Sequence, residues 1–248
     1  MPHSVSRETL AALAELDSCS VANAIESFDV RLRNEGFTDG TIRCRLPSLP
    51  PMVGHAITIR IRAASPSWKG DNYLGRNDWW ANLQFGSGPQ VLVIQDMDRQ
   101  AGTGAFIGEV HAAILQAMGC TGAITNGAVR GLPGVERLGF HLFSGSISVS
   151  HAYIHVIEAG GVVEVGGLRI APGDLIHGDI HGVVRVPLNI ANHIPEVALR
   201  IREQERRVVQ YCHSPEFNLG HLRSVVADNP CGVSSDDVKK ITEDSKHN

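Results

Sequence analysis

One stretch constrains this chain more than any other. VLVIQD at Val91–Asp96 is followed by a glycine-rich loop, Gly102–Gly108, a helix-forming segment over Glu109–Met118 that Gly119 closes, and GAITNGAVRG, which reads as a strand and then a turn. Short apolar runs bounded by turn residues have the character of buried strands. A strand-loop-helix-strand unit makes the fold class α/β. It also returns the residue after the second strand, Arg130, to the glycine loop at the carboxyl edge of the sheet, where α/β proteins bind ligands.

The flanking sequence fits such a core. Thr9–Phe28 carries apolar side chains at Leu10, Leu13, Leu16, Val21, Ala24, Ile25 and Phe28, with Asp17-Ser18 placed to end one helix and cap the next. Asp29–Pro51 is polar and broken by glycine and proline, and reads as a long loop or a subunit-contacting arm. His55–Ala63 alternates Ile57, Ile59 and Ile61 with Thr58, Arg60 and Arg62, the pattern of a strand with one buried face. A helix is expected over Asn72–Gln84. HLFSGSISVS, VVEVGGLRIAPGDLI and GVVRVP follow as short strands separated by turns, so the second half of the core is mainly β. Ile194–Tyr211 has the mixed charge of a solvated outer helix, and SSDDVKKITEDSKHN is expected to be frayed or a peripheral short helix.

With 248 residues, 43% of them hydrophobic, the chain can bury the core of one domain. A net charge of -4 gives no electrostatic reason for a nucleic-acid partner. No apolar run is long enough to span a membrane and MPHSVSRETL has no apolar signal core, so a cytoplasmic protein is expected. Five scattered cysteines without C-x-x-C spacing are expected to be reduced thiols.

The residues that could carry chemistry gather around the loop. Glu109 follows Gly108 at a helix start, where backbone N–H groups and the helix dipole favour an anion such as a carboxylate. Arg130 offers a planar fork to the same group. Gly108, Val110 and His111 are the accompanying substrate-binding candidates. The glycine spacing matches neither a dinucleotide fingerprint nor a P-loop, and no ribose-binding acid is suitably placed, which excludes a methyltransferase using S-adenosylmethionine. No lysine lies in a strand near the loop, which argues against Schiff-base chemistry. Asp96, Asp98 and Asp179 are weaker metal-ligand candidates, and turn formation accounts for the first two. His177 and His181 flank Asp179 in a turn and suit either a surface or interface place or metal and acid-base work, whereas His151, Tyr153 and His155 are expected to project from one face of an extended segment and to serve packing or an interface.

GAFIGEVHAAILQAMGCTGAITNGAVRGLPGVERLGFHLFSG followed by VEVGGLRIAPGDLIHGDIHGVVRVP resembles the RraA-like family, which contains 4-hydroxy-4-methyl-2-oxoglutarate aldolases and ribonuclease E regulators. The resemblance covers about 17–190 and leaves 191–248 as a C-terminal extension of a single domain. It implies a swivelling β/β/α core with N-terminal helices and a peripheral C-terminal helix, assembled as a homotrimer or a dimer of trimers with sites between subunits. It further implies a metal-dependent class II lyase that releases pyruvate from a small 2-oxo acid, a 4-hydroxy-2-oxo dicarboxylate or oxaloacetate. Arg130 would bind the carboxylate, and Glu109 would anchor Mg2+ or Mn2+ directly or through water. The family's arginine is followed by an aspartate that ligates the metal. Here that position is Gly131, which opens the alternative of a non-catalytic binding or regulatory protein.

Overall fold

The computed structural model describes residues 5–68, 80, 83 and 86–228. Apart from Trp80 and Leu83, the helix expected over Asn72–Gln84 lies outside the described residues, as does the tail at 234–248. In chain order come helices α1 (Arg7–Ala14) and α2 (Ser18–Glu26), then strands β1 (Arg43–Cys44), β2 (Met52–Arg62), β3 (Gln90–Asp96) and β4 (Ala105–Ile107). Helix α3 (Glu109–Ala117), strand β5 (Cys120–Val129), helix α4 (Leu132–Leu138) and strand β6 (His141–Ile147) form the centre. Strands β7 (His155–Ala159), β8 (Val163–Val165), β9 (Leu168–Ile170), β10 (Leu175–Asp179) and β11 (Gly182–Val186) precede helices α5 (Ile194–Cys212) and α6 (Leu219–Asp228).

Residues 34–186 form one compact unit. Its sheet runs β1-β6-β5-β3-β2-β10-β11, with β4 added to β5 and β7 to β2. The four central strands β6, β5, β3 and β2 are mutually parallel, so their carboxyl ends lie along one edge. The sheet nearly closes into a barrel. Phe37, shortly before β1 at one end, bridges to Val184 of β11 at the other, and the Thr38 and Arg185 amides donate to Val183 O and Gly36 O.

The period of two along each strand sorts side chains between two cores. Val91 and Val93 point with Met52, Ile124, Phe143 and the β8–β9 hairpin into one cluster, while Leu92 and Ile94 point with Phe106, Ala112, Leu115 and Val135 into the other, beneath α3 and α4. Strand β2 departs from the expected half-buried pattern: Thr58 is fully buried, donating to Gly161 O at 2.6 Å, and Arg60 pairs with Glu158. Being flanked by strands and covered on both faces overrides the polar alternation. The segment expected as a loop or arm over Asp29–Pro51 likewise contributes to the core through Ile42 and Leu46, and to the sheet through β1.

The described residues 5–33 and 187–228 belong to a second unit. The interruption read at Asp17-Ser18 is a cap: Asp17 accepts from the Ser20 amide at 2.8 Å. Helix α5 buries Ile194, Val197, Ala198 and Ile201 along one side, a spacing of three and four residues, and Asn23 of α2 donates to its Glu205.

Close packing between β5 and β6 depends on Gly122. A Cβ there would come within 2.7 Å of His141 Cβ and 2.8 Å of its carbonyl oxygen, so backbone must shift. Gly122→Ala is expected to cost about 1–3 kcal/mol, read as a lowered urea midpoint at unchanged slope. An unchanged midpoint would mean that the strands separate without cost.

Candidate functional site

The sheet brings the glycine loop and Arg130 together. Beyond Thr125, β3 no longer pairs with β5, and β4 takes its place, Ala105 opposite Ala128 and Ile107 opposite Val129. The Arg130 amide continues the pairing by donating to Ile107 O at 2.9 Å. A Cβ on Gly108 would lie 3.3 Å from Arg130 Cγ, so the missing side chain makes room for the arginine stem, and Nη1 donates to Val149 O at 3.1 Å. Gly131 starts α4 in the left-handed region at φ 64°, and a Cβ there would sit 3.5 Å from the Glu109 amide nitrogen. Gly108, Glu109, Arg130 and Gly131 therefore share one corner at the carboxyl edge. Gly108 gives α3 no side-chain cap, so the Glu109 and Val110 amides, which lack intrahelical acceptors, open this corner to an anion.

Asp96 builds the loop beneath. Its Oδ2 accepts from the Gly102 amide at 2.8 Å and its Oδ1 from the Asp98 amide at 3.0 Å, while Asn126 brackets its backbone with bonds of 2.7 and 3.0 Å. Burial raises the Asp96 pKa despite these donors. Asp98 Oδ2 accepts from the amides of Ala63 and Ala64 at 2.6 and 2.7 Å. Both aspartates are thus loop organisers, in line with their turn reading.

Behind Glu109, His111 stacks on Phe106 with ring centroids 5.6 Å apart. Burial, and then the nearby His151, push its pKa down to about 4. Val110 is exposed. The stretch containing His151 and Tyr153 is not extended as expected: it turns at Ala152, φ 50°, and His151 Nδ1 meets Ala105 O at 2.8 Å. That turn ties it to β4 and offers Val149 O to Arg130, a contact no sequence pattern announced.

Asp179 is elsewhere. Strand β10 runs antiparallel to β2 with Gly178 opposite Met52, which places Asp179 at the amino edge of the parallel strands, the end away from Arg130. There it pairs with His181 at 3.2 Å, and His177 is fully buried. Asp179 therefore does not join Glu109 within this chain, contrary to its expected place as a companion ligand.

The donors at the corner do not fit the divalent cation that the resemblance implies. Such ions need oxygen ligands, commonly one or two carboxylates. Glu109 lies against Gly134 of α4, where a Cβ would overlap its carboxylate, and its Oε1 is 3.5 Å from Arg137 Nη2. Asp96 and Asp98 are engaged by amides, and Gly131 offers no side chain. Among the described residues no group of three or more His, Cys, Asp or Glu is placed to hold a metal ion.

The parallel strands at the centre of the sheet carry a glycine loop, a helix start and an arginine at their carboxyl edge, the edge at which α/β folds as a class bind ligands. The chain belongs to the RraA-like family, whose model, described as Aldolase/RraA, matches residues 18–185; the family includes aldolases and ribonuclease E inhibitors. An uncharacterized protein of Methanocaldococcus jannaschii is 30% identical over 163 residues, 63% of this chain and 71% of that protein. An uncharacterized protein from Pseudomonas syringae pv. tomato str. DC3000 superposes with a TM-score of 0.70 at 22% identity, covering 90% of this chain and 96% of that one. Streptomyces coelicolor RraAS2, described as an unusual member of the RNase ES inhibitor RraA protein family, does so with a TM-score of 0.63 at 22% identity, covering 82% and 97%. These structures establish the expected α/β fold of the RraA-like type. Among the described residues no helix is long and apolar enough to cross a membrane.

Proposed function

We propose that the protein is a cytoplasmic carbon–carbon lyase of the aldolase kind, acting on a small 2-oxo acid such as a 4-hydroxy-2-oxo dicarboxylate or oxaloacetate to release pyruvate. The observation that supports this reading is the meeting of Arg130 with the uncapped start of α3. The arginine fork and the first-turn amides of Glu109 and Val110 would take the substrate carboxylate, fixing the 2-oxo group beside them. Glu109 would accept the proton of the C4 hydroxyl. The C3–C4 bond then breaks, its electron pair forms the enolate of pyruvate, and protonation at C3 completes release. Oxaloacetate would reach the same enolate by losing CO2. Positive charge on Arg130 and the helix start offsets the developing negative charge.

Self-association as a homotrimer or dimer of trimers belongs to the same proposal. Val110 and Val149 flank the corner and are 70% and 92% exposed, apolar surface that a second copy would cover. Gly131 favours a second reading, a binding protein that holds the carboxylate without turnover.

Pyruvate release from 4-hydroxy-4-methyl-2-oxoglutarate, 4-carboxy-4-hydroxy-2-oxoadipate and oxaloacetate separates the two. Each is assayed with Mg2+, with Mn2+ and with chelator. Release from at least one is the expected result. Silence on all three, with pyruvate still bound in calorimetry, would leave the binding reading.

A further inference from the structure

We infer that this corner works without a resident divalent cation, because Arg137 supplies the positive charge that faces Glu109 and Gly131 withholds the second carboxylate a cation would need. The inference rests on the proposed function for the role of Glu109, and on the geometry for everything else. Gly134 and Arg137 are three residues apart on α4 and so lie on one face, the face that Glu109 meets. Glycine inside a helix is normally unfavourable, and here it has a purpose. Any Cβ at Gly134 would overlap the Glu109 carboxylate, so its absence lets that carboxylate lie against the helix and reach Arg137 at 3.5 Å. Glu136, the acid of α4 itself, accepts from Ser48 rather than pairing with Arg137.

The second part of the geometry is Gly131. Its left-handed backbone is one that aspartate tolerates better than most residues, and a Cβ there would be in ordinary contact with the Glu109 amide. The position can therefore receive a carboxylate. Arg137 is a positioning residue, acting through Glu109. It and Gly131 together convert a place for a cation into a place where a guanidinium already balances the acid.

The test is titration of Mn2+ followed by its spin-resonance signal, on wild type, Glu109→Gln, Gly131→Asp, and Gly131→Asp combined with Arg137→Ala or Arg137→Lys. Gly131→Asn is the folding control, since it meets the same backbone demand without charge. Wild type is expected to leave Mn2+ free up to on the order of 1 mM, with Glu109→Gln indistinguishable from it. Gly131→Asp with Arg137→Ala should capture Mn2+ at least about tenfold more tightly than Gly131→Asp alone, and Arg137→Lys should abolish that gain. Capture of micromolar Mn2+ by wild type, released by Glu109→Gln, would overturn the inference. Equal capture by Gly131→Asp with and without Arg137 would overturn the role of Arg137.

Pyruvate binding, measured in parallel with Mn2+ and with chelator, is expected to be the same in both. Loss of pyruvate binding in wild type with Mn2+ still free would remove the carboxylate reading while the metal-free site stands.

Discussion

Arg130→Ala is expected to lower affinity for pyruvate by roughly 100-fold and to abolish turnover, because a charge-assisted, two-pronged hydrogen bond to a carboxylate contributes up to about 3 kcal/mol. The fold should survive. The bond that extends the pairing beside β4 comes from the Arg130 amide, which alanine retains, and the side chain donates at one described point, Val149 O. Arg130→Lys keeps the charge and loses the fork, and should fall between the two. Calorimetric titration with pyruvate measures all three proteins. Wild-type affinity in Arg130→Ala would take the arginine out of the site.

Acid should weaken the protein through His111. Its folded pKa of about 4 lies below the ordinary 6.5, chiefly because it is buried and secondarily because His151 is near. A base depressed in this way contributes stability that is complete above the unfolded value. That stability is lost as pH falls from about 6.5 to about 4, where the unfolded chain takes up a proton that the folded one refuses. The loss is on the order of 3 kcal/mol. Asp96 acts with the opposite sign, since its folded pKa is raised by burial: its contribution is present at low pH and fades as pH rises through that value. His111→Phe, which preserves a ring against Phe106, isolates the histidine. Urea unfolding at neutral and acidic pH should show a smaller decline for the variant, and parallel declines would dismiss His111 as the source.

The approach of Glu109 and Arg130 was legible in the sequence because it follows from chain order. Two neighbouring parallel segments must end on one edge, and Gly108 and Arg130 are the residues that follow those ends. The cap at Asp17 and the left-handed stop at Gly119, φ 92°, just after α3, were legible for a similar reason, being local. Arg137 and Gly134 were not, because their meeting with Glu109 depends on how α3 crosses α4, which no period encodes. The interior of β2 was misread for a related reason. Arg60 and Thr58 look solvent-facing until Glu158 and Gly161 O are known to cover them. Asp179 shared a plausible composition with the site, yet antiparallel pairing carried it to the far edge.

The bridge from Phe37 to Val184 has a consequence for how the chain assembles. Helices α1 and α2 and their partner α5 are separated by the whole of residues 34–186, so their meeting closes a long loop at an entropic cost that grows with its length. Pairing of Phe37 with Val184 shortens that loop almost to nothing, since it fastens the two ends of the intervening segment side by side. The sheet is therefore favoured to form first, with the terminal helices joining as a late, nearly local event. The same adjacency makes 34–186 a segment whose ends could be joined and reopened elsewhere without redrawing its sheet.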